Sequence, residues 1–236
     1  MWNSPYWDEG RGVSKEKSMK IVGYITLEGL CVRPMGPKKP MRPRRMRGRR
    51  TLGKKLLFIV GSLRAGSFNR VLADYAAHVV GDRAQVDYLD YSDVPFMDED
   101  IEFPAPASVE RVRRQVDEAD GVWIFTPEYN FSYPAALKNV LDWLSRPQVA
   151  GDHDAAVSLT DMPVAISGAG GKNACANVRR QLVVLLNYVE ATVVGGEGEG
   201  FVLPAAAWTE GVYEAPEWDK TRIAMQAEDL LAAAER

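Results

Sequence analysis

KLLFIVGSLRAGSFNR, residues 55–70, reads as a strand, a short polar loop and the start of a helix. Leu56 to Gly61 form an uncharged apolar run, the pattern of a strand buried on both faces in a parallel sheet. Ser62, Arg64, Ser67 and Asn69 follow within eight residues. Val71, Leu72, Tyr75, Ala76 and Val79 then recur at helical spacing, with Ser67 placed to cap the helix. Where an α/β protein turns from strand to helix, free N–H groups and the positive end of the helix dipole make an anion site beyond the strand's carboxyl end. This loop has neither the GxxxxGK of a P-loop nor the GxGxxG of a dinucleotide fold. Hydroxyls and one Arg suit a terminal phosphate monoester, which takes several short hydrogen bonds. The same residue types also build βα turns that bind nothing.

Further along, Gln85–Leu89 alternates as a second strand, and residues 92–106, with Pro95, Pro104 and Pro106, form a loop. Ser108 is placed to cap a helix carrying Val109, Val112, Val116 and Ala119 on one face. Gly121–Thr126 is a third, uncharged strand. The next helix carries Leu137, Val140, Leu141 and Leu144, with Pro134 in its first turn. Pro163–Ser167 is a fourth strand, Val178, Leu182 and Leu185 mark a helix, and Ala191–Val194 is a fifth strand. Pro216 opens a terminal helix with Ile223, Ala227, Leu230 and Leu231. Strands alternating with helices imply right-handed crossovers and a parallel sheet covered on both faces. The expected architecture is a flavodoxin-like, doubly wound, five-stranded sheet over residues 51–236, with its ligand at the switch point beside the first strand.

The 236 residues are 46% hydrophobic and 26% charged, a globular composition without the roughly 18 consecutive apolar residues of a membrane span. Cys31 and Cys175 give neither a disulfide framework nor a metal pair, and a reducing cytoplasm is the expected setting. Two histidines, His78 and His153, argue against most zinc chemistry and against a His-activated nucleophile. His78 is expected on the surface and His153 in a loop remote from the motifs.

Charge is divided unevenly. Residues 1–50 hold 13 Lys and Arg against 4 Asp and Glu, while the rest hold 16 against 28. Five prolines and the basic run Lys38–Arg50 predict a disordered arm over 1–50. On charge alone it suits nucleic acid or a membrane surface. Signal-peptide and twin-Arg readings fail on the apolar runs available. The favoured reading is an inert extension or a misplaced start, with Met19, Met35, Met41 or Met46 as alternatives.

Three loops gather at the carboxyl ends of strands: GSLRAGSFNR, PEYNFSYPAALKNVLDWLSRP and SGAGGKNA. In this order and spacing they resemble the NADPH-dependent FMN reductase family of flavodoxin-like proteins, which includes quinone, azo-dye and chromate reductases. The resemblance covers about residues 54–200. It implies that Ser62, Arg64, Ser67, Phe68 and Asn69 hold the FMN phosphate and ribityl chain. Pro127, Glu128, Tyr129 and Asn130 would line the isoalloxazine, largely through backbone atoms, and Ser167, Gly168 and Gly171 would approach its other edge. It also implies a homodimer or homotetramer with FMN near the interface and the helix Ala135–Leu144, with Trp143, as the contact. The acidic charge of residues 51–236 argues against nucleic acid as a partner, and the lack of a long apolar run against a membrane.

Plainer readings stand beside these. Glu128 can be read as a solvated loop carboxylate, but its place between a buried strand and Tyr129 favours a functional one; Phe131 and Tyr133 read better as packing aromatics. Gly170 and Gly171 can simply shape a turn, and Cys175 reads as a small buried hydrophobe. The implied activity is ping-pong: hydride passes from NADPH (or NADH) to FMN, then two electrons pass to a small acceptor such as a quinone, flavin, azo compound or metal oxyanion. No catalytic side chain and no metal is expected. A flavodoxin-like electron carrier is the alternative, with an FMN-free interaction protein behind it.

Overall fold

The computed structural model describes residues 53–152 and 155–235, and ahead of them Thr26–Leu27 and Leu30–Cys31, which pair antiparallel. The expected disordered arm and His153 otherwise fall outside the described residues. Of the chain's two compact units, Met1–Met46 and Arg47–Arg236, the second holds the parallel sheet.

The sheet is built on β1 (Lys55–Val60), whose four inner residues Leu56–Ile59 are fully buried. It pairs in parallel with β2 (Gln85–Tyr88) on one side and β3 (Gly121–Phe125) on the other. β4 (Pro163–Gly170) lies beyond β3, giving the order β2-β1-β3-β4-β5 with β5 at Thr192–Val193. This is the expected doubly wound order, with its switch point at β1 and β3.

Alternation along the buried strands assigns the two faces. Leu57, Ile59, Val122, Ile124, Val164 and Ile166 pack beneath α2 (Ala107–Glu118), α3 (Ala135–Leu144) and α4 (Ala176–Tyr188). Leu56, Phe58, Trp123 and Phe125 pack beneath α1 (Phe68–Val80), and later beneath α6 (Glu217–Ala233). On that second face Trp123 stacks on Phe125 at 4.9 Å, with Phe58 edge-on to Trp123 at 5.5 Å. Both faces are apolar because helices cover both, which is why β1 and β3 lack polar alternation.

Several boundaries differ from the sequence expectation. α2 begins at Ala107, so Ser108 lies inside the helix and Pro106 holds the cap position. Pro134 precedes α3 rather than sitting in its first turn. The fourth strand runs on past Ser167 to Gly170, because a further strand, β6 (Glu199–Val202), pairs with that half: Ser167 lies opposite Glu199 and Gly170 opposite Val202. The fifth column is therefore two short pieces separated by Val194–Gly198. Gly195, Gly196 and Gly198 adopt φ of +74°, +63° and +69°, and the Arg179 guanidinium donates to the carbonyls of Glu197 (3.0 Å) and Gly198 (2.8 Å). The break is built from glycines and held by one cation.

Trp143, expected to meet a second copy, is fully buried within its own chain. Its indole Nε1 donates to Pro95 O at 2.8 Å and the Arg113 guanidinium lies 5.9 Å from its ring. The contact expected there cannot use this side chain. The loop before α2 is pinned nearby by the fork between Arg146 and Glu102, at 2.9 and 2.8 Å.

Candidate functional site

At the end of β1 the chain must turn sharply. A Cβ on Gly61 would stand 2.7 Å from Thr126 Oγ1, so glycine alone lets β1 leave the sheet against the end of β3. Ser62 to Gly66 then cross the surface, and buried Ser67 caps α1, its hydroxyl accepting from Arg70 N at 3.4 Å. Arg64 lies with its guanidinium 4.9 Å from the centre of the Phe68 ring. Among the described residues no carboxylate pairs with Arg64, whereas Arg70 is held by Asp74 at 2.7 Å and stacks on Tyr88 at 3.8 Å. One uncommitted cation thus stands over the start of α1, where the helix dipole also favours an anion.

The second loop leaves β3 through Thr126 and Pro127. Tyr129 and Ser132 exchange backbone hydrogen bonds at 3.1 and 3.0 Å across a two-residue tip. Asn130 (φ +51°) and Phe131 (φ +62°) are both left-handed, the geometry of a type I′ turn. Asn tolerates this, but a bulky Phe is strained, and Gln181 on α4 clasps the tip. Its amide donates to Phe131 O and accepts from the Ser132 hydroxyl, both at 2.8 Å. Phe131 is exposed rather than packed, while Tyr133 joins the core beneath α3.

Glu128 has a structural duty. Its carboxylate accepts from the N–H groups of Asn177 (2.9 Å) and Val178 (3.0 Å) and from the side-chain amide of Asn177 (3.2 Å), capping α4. Partial burial opposes the charge, but these bonds and one from Asn173 outweigh it and hold the carboxyl below the ordinary glutamate range.

The third stretch is strand rather than loop. Ser167 is fully buried, accepting from Trp123 Nε1 (3.0 Å) and bonding Gln226 Oε1 (2.7 Å), so it faces the core and not a ligand. Gly168 and Gly170 are demanded by Cys175: added Cβ atoms would stand 2.7 Å from its Cβ and 2.6 Å from its Sγ. Gly171, by contrast, has open space beside it. Cys175 is buried as expected, and burial raises its thiol pKa to about 11.

A cavity of about 270 Å³ joins these loops at the carboxyl edge of the sheet. Ser62, Arg64, Ser67, Phe68, Asn69, Pro127, Glu128, Tyr129 and Gly171 line it, as the sequence led us to expect; Asn130, Ser167 and Gly168 do not. Its far wall was not foreseen. Leu203, and Ala207 and Trp208 of α5 (Ala205–Glu210), together with Gly211, complete it. They follow β6, which the sequence did not reveal, so nothing marked that segment as returning to the site. A second cavity, about 360 Å³, lies beyond the loop against Tyr88–Ser92 and shares Ser62 and Arg64 with the first. The smaller one is the candidate site because both motif loops open into it.

A turn carrying Arg64 beside an aromatic turn, at the switch point of a doubly wound sheet, lies where flavodoxin-like folds place their ligands. The chain belongs to the NADPH-dependent FMN reductase family, whose model matches residues 54–199. It is 43% identical over 95 residues to a quinone reductase of Escherichia coli (strain K12), which covers 39% of this chain and 50% of that one. A quinone reductase of Pseudomonas putida is 38% identical over 132 residues, 54% of this chain and 68% of that one. The chain spans about half the length of the first curated relatives it matches. Among solved structures, a flavoenzyme NAD(P)H:(acceptor) oxidoreductase from Paracoccus denitrificans matches with a TM-score of 0.67 and 27% identity, over 77% of this chain and 97% of that one.

Proposed function

We propose that this chain is an FMN-containing oxidoreductase that takes hydride from NADPH or NADH and reduces a small acceptor, such as a quinone, free flavin, azo compound or metal oxyanion. The observation that carries the reading is the opening of Arg64 and Tyr129 into one cavity, the first a cation with no carboxylate partner among the described residues and the second a half-exposed aromatic ring. The donor set fits the group. Ser62, Arg64 and the first turn of α1 suit a phosphate monoester, and the restrained backbone of Pro127–Tyr129 suits a flat ring system.

When bound, FMN supplies the redox chemistry, accepting hydride and releasing electrons to the acceptor. The protein's part is positional. Arg64 neutralises the phosphate, Glu128 ties the second loop to α4, and Gln181 keeps Tyr129 and its turn in one conformation. No side chain is required to transfer a proton, and Glu128, the one carboxylate lining the cavity among the described residues, is committed to α4. Homo-oligomeric assembly and a cytoplasmic setting belong to the same proposal and rest on family membership.

Purified full-length protein, loaded with FMN, is assayed with NADPH and 1,4-benzoquinone. The reading expects NADPH consumption with parallel double-reciprocal lines, as ping-pong exchange requires. No consumption above the flavin-free control would favour an electron carrier instead.

A further inference from the structure

Two exposed aromatic side chains, Tyr129 and Trp208, line the cavity on different segments of the chain. Tyr129 belongs to the turn clasped by α4. Trp208 stands on α5 beside Phe68, which belongs to the cluster beneath α1 and α6, and 61% of the Trp208 surface is exposed. The Phe68 ring meets it edge-on, at 6.0 Å and 80°, and the neighbouring Ala205, Ala206 and Thr209 are exposed and too small to cover an indole. A flat ring held by the Pro127–Tyr129 loop leaves Trp208 without a partner. An exposed Trp in a ligand cavity is a large, rigid stacking surface.

We propose that Trp208 is the shelf for an adenine ring, the second planar group that a dinucleotide brings to this site. The proposal rests on the flavin reading above. Arg64 and Trp208 flank the same Phe68 ring, so the indole stands at the phosphate end of the cavity, where the adenine half of a dinucleotide falls once its other half lies at the Pro127–Tyr129 loop. A neutral base also suits the charge there. Glu210 follows two residues after Trp208, and among the described residues Arg64 is the one cation that lines the cavity. Two sources share this chemistry: the adenine half of the nicotinamide cosubstrate, and the adenine half of FAD bound in place of FMN.

The test is equilibrium binding to the full chain. FMN-loaded wild type, W208A and W208F are titrated with 5′-AMP by calorimetry, with nicotinamide mononucleotide as the adenine-free control. W208A is expected to weaken AMP by about fivefold or more, W208F to restore it to within about twofold, and the control ligand to show no difference. In parallel, the flavin-free proteins are titrated with FMN and FAD. A W208A loss confined to AMP on the FMN-loaded protein assigns the shelf to the cosubstrate, and a loss confined to FAD assigns it to a flavin dinucleotide. Equal affinities in wild type and W208A for AMP and FAD alike, or no AMP or FAD binding at all, would overturn the proposal. Failure of the flavin reading looks different: no FMN is bound, whichever residue stands at 208.

Discussion

Asn69 and Ala169, a hundred residues apart, exchange two hydrogen bonds: the Asn69 side-chain amide donates to Ala169 O at 3.1 Å and accepts from Ala169 N at 2.9 Å. This joins the first turn of α1 to the end of β4 and sets the spacing between two walls of the cavity. The pair is buried, so Asn69 acts on the site by holding its frame. In N69A both backbone groups lose their partner, at a cost of about 1–3 kcal/mol. Urea unfolding should show a lower midpoint with an unchanged slope. A midpoint equal to wild type would show that solvent or a shift of β4 replaces the amide.

Arg64 touches no acidic partner among the described residues, and its nearest aromatic is Phe68. Its removal should leave the fold intact and weaken FMN by about 10-fold or more, since a hydrogen bond to a charged group contributes about 1.5–3 kcal/mol. R64K should recover part of that affinity but not the fork geometry. Flavin fluorescence quenching reads the affinity directly. An R64A protein with full FMN affinity would remove Arg64 from the site.

Glu128 links the second loop to the first turn of α4 through Asn177 and Val178. Its folded-state pKa lies below the unfolded value, so its contribution to stability is complete above the ordinary glutamate range, near about 4.3, and is lost as pH falls through the lower folded value. Unfolding of wild type and E128Q should therefore differ most near pH 7 and converge in strong acid. A difference that grows on acidification would contradict the capping role.

Gly170 and Gly171 are adjacent but unequal. A Cβ at 170 would stand 2.6 Å from the Cys175 Sγ, while nothing lies within 4 Å of one at 171. G170A should destabilise the protein by about 1–3 kcal/mol and G171A much less. The double variant G170A/C175A should regain part of the loss, because the alanine removes the colliding sulfur. Thermal melts of the four proteins check this, and equal melting of G170A and G171A would refute it.

What could be read from the sequence followed from burial. β1 and β3 announce themselves as uncharged runs because helices cover both of their faces, and the polar clusters after them mark where the chain must reach water. β6 was illegible because Glu-Gly-Phe-Val carries a charge and a glycine. Glu199 is tolerated there because the Arg222 guanidinium pairs with it, and Gly200 is required where a Cβ would stand 2.4 Å from Ala174 O. Missing β6 also hid α5 and Trp208. The site suffered from a different ambiguity: Ser167, Asn69 and Glu128 are polar residues near strand ends, which suits a ligand. Ser167 points instead to Gln226, Asn69 to Ala169 and Glu128 to α4. Sequence order carries the residue type but not the direction of the side chain.

The most direct measurement is the visible spectrum of FMN-loaded full-length protein, recorded without oxygen during stepwise addition of NADPH. The account predicts bleaching of the flavin band complete at one NADPH per flavin, and return of the band on adding a quinone. A flavin that stays oxidised in excess NADPH, or a protein that takes up no FMN, would contradict it.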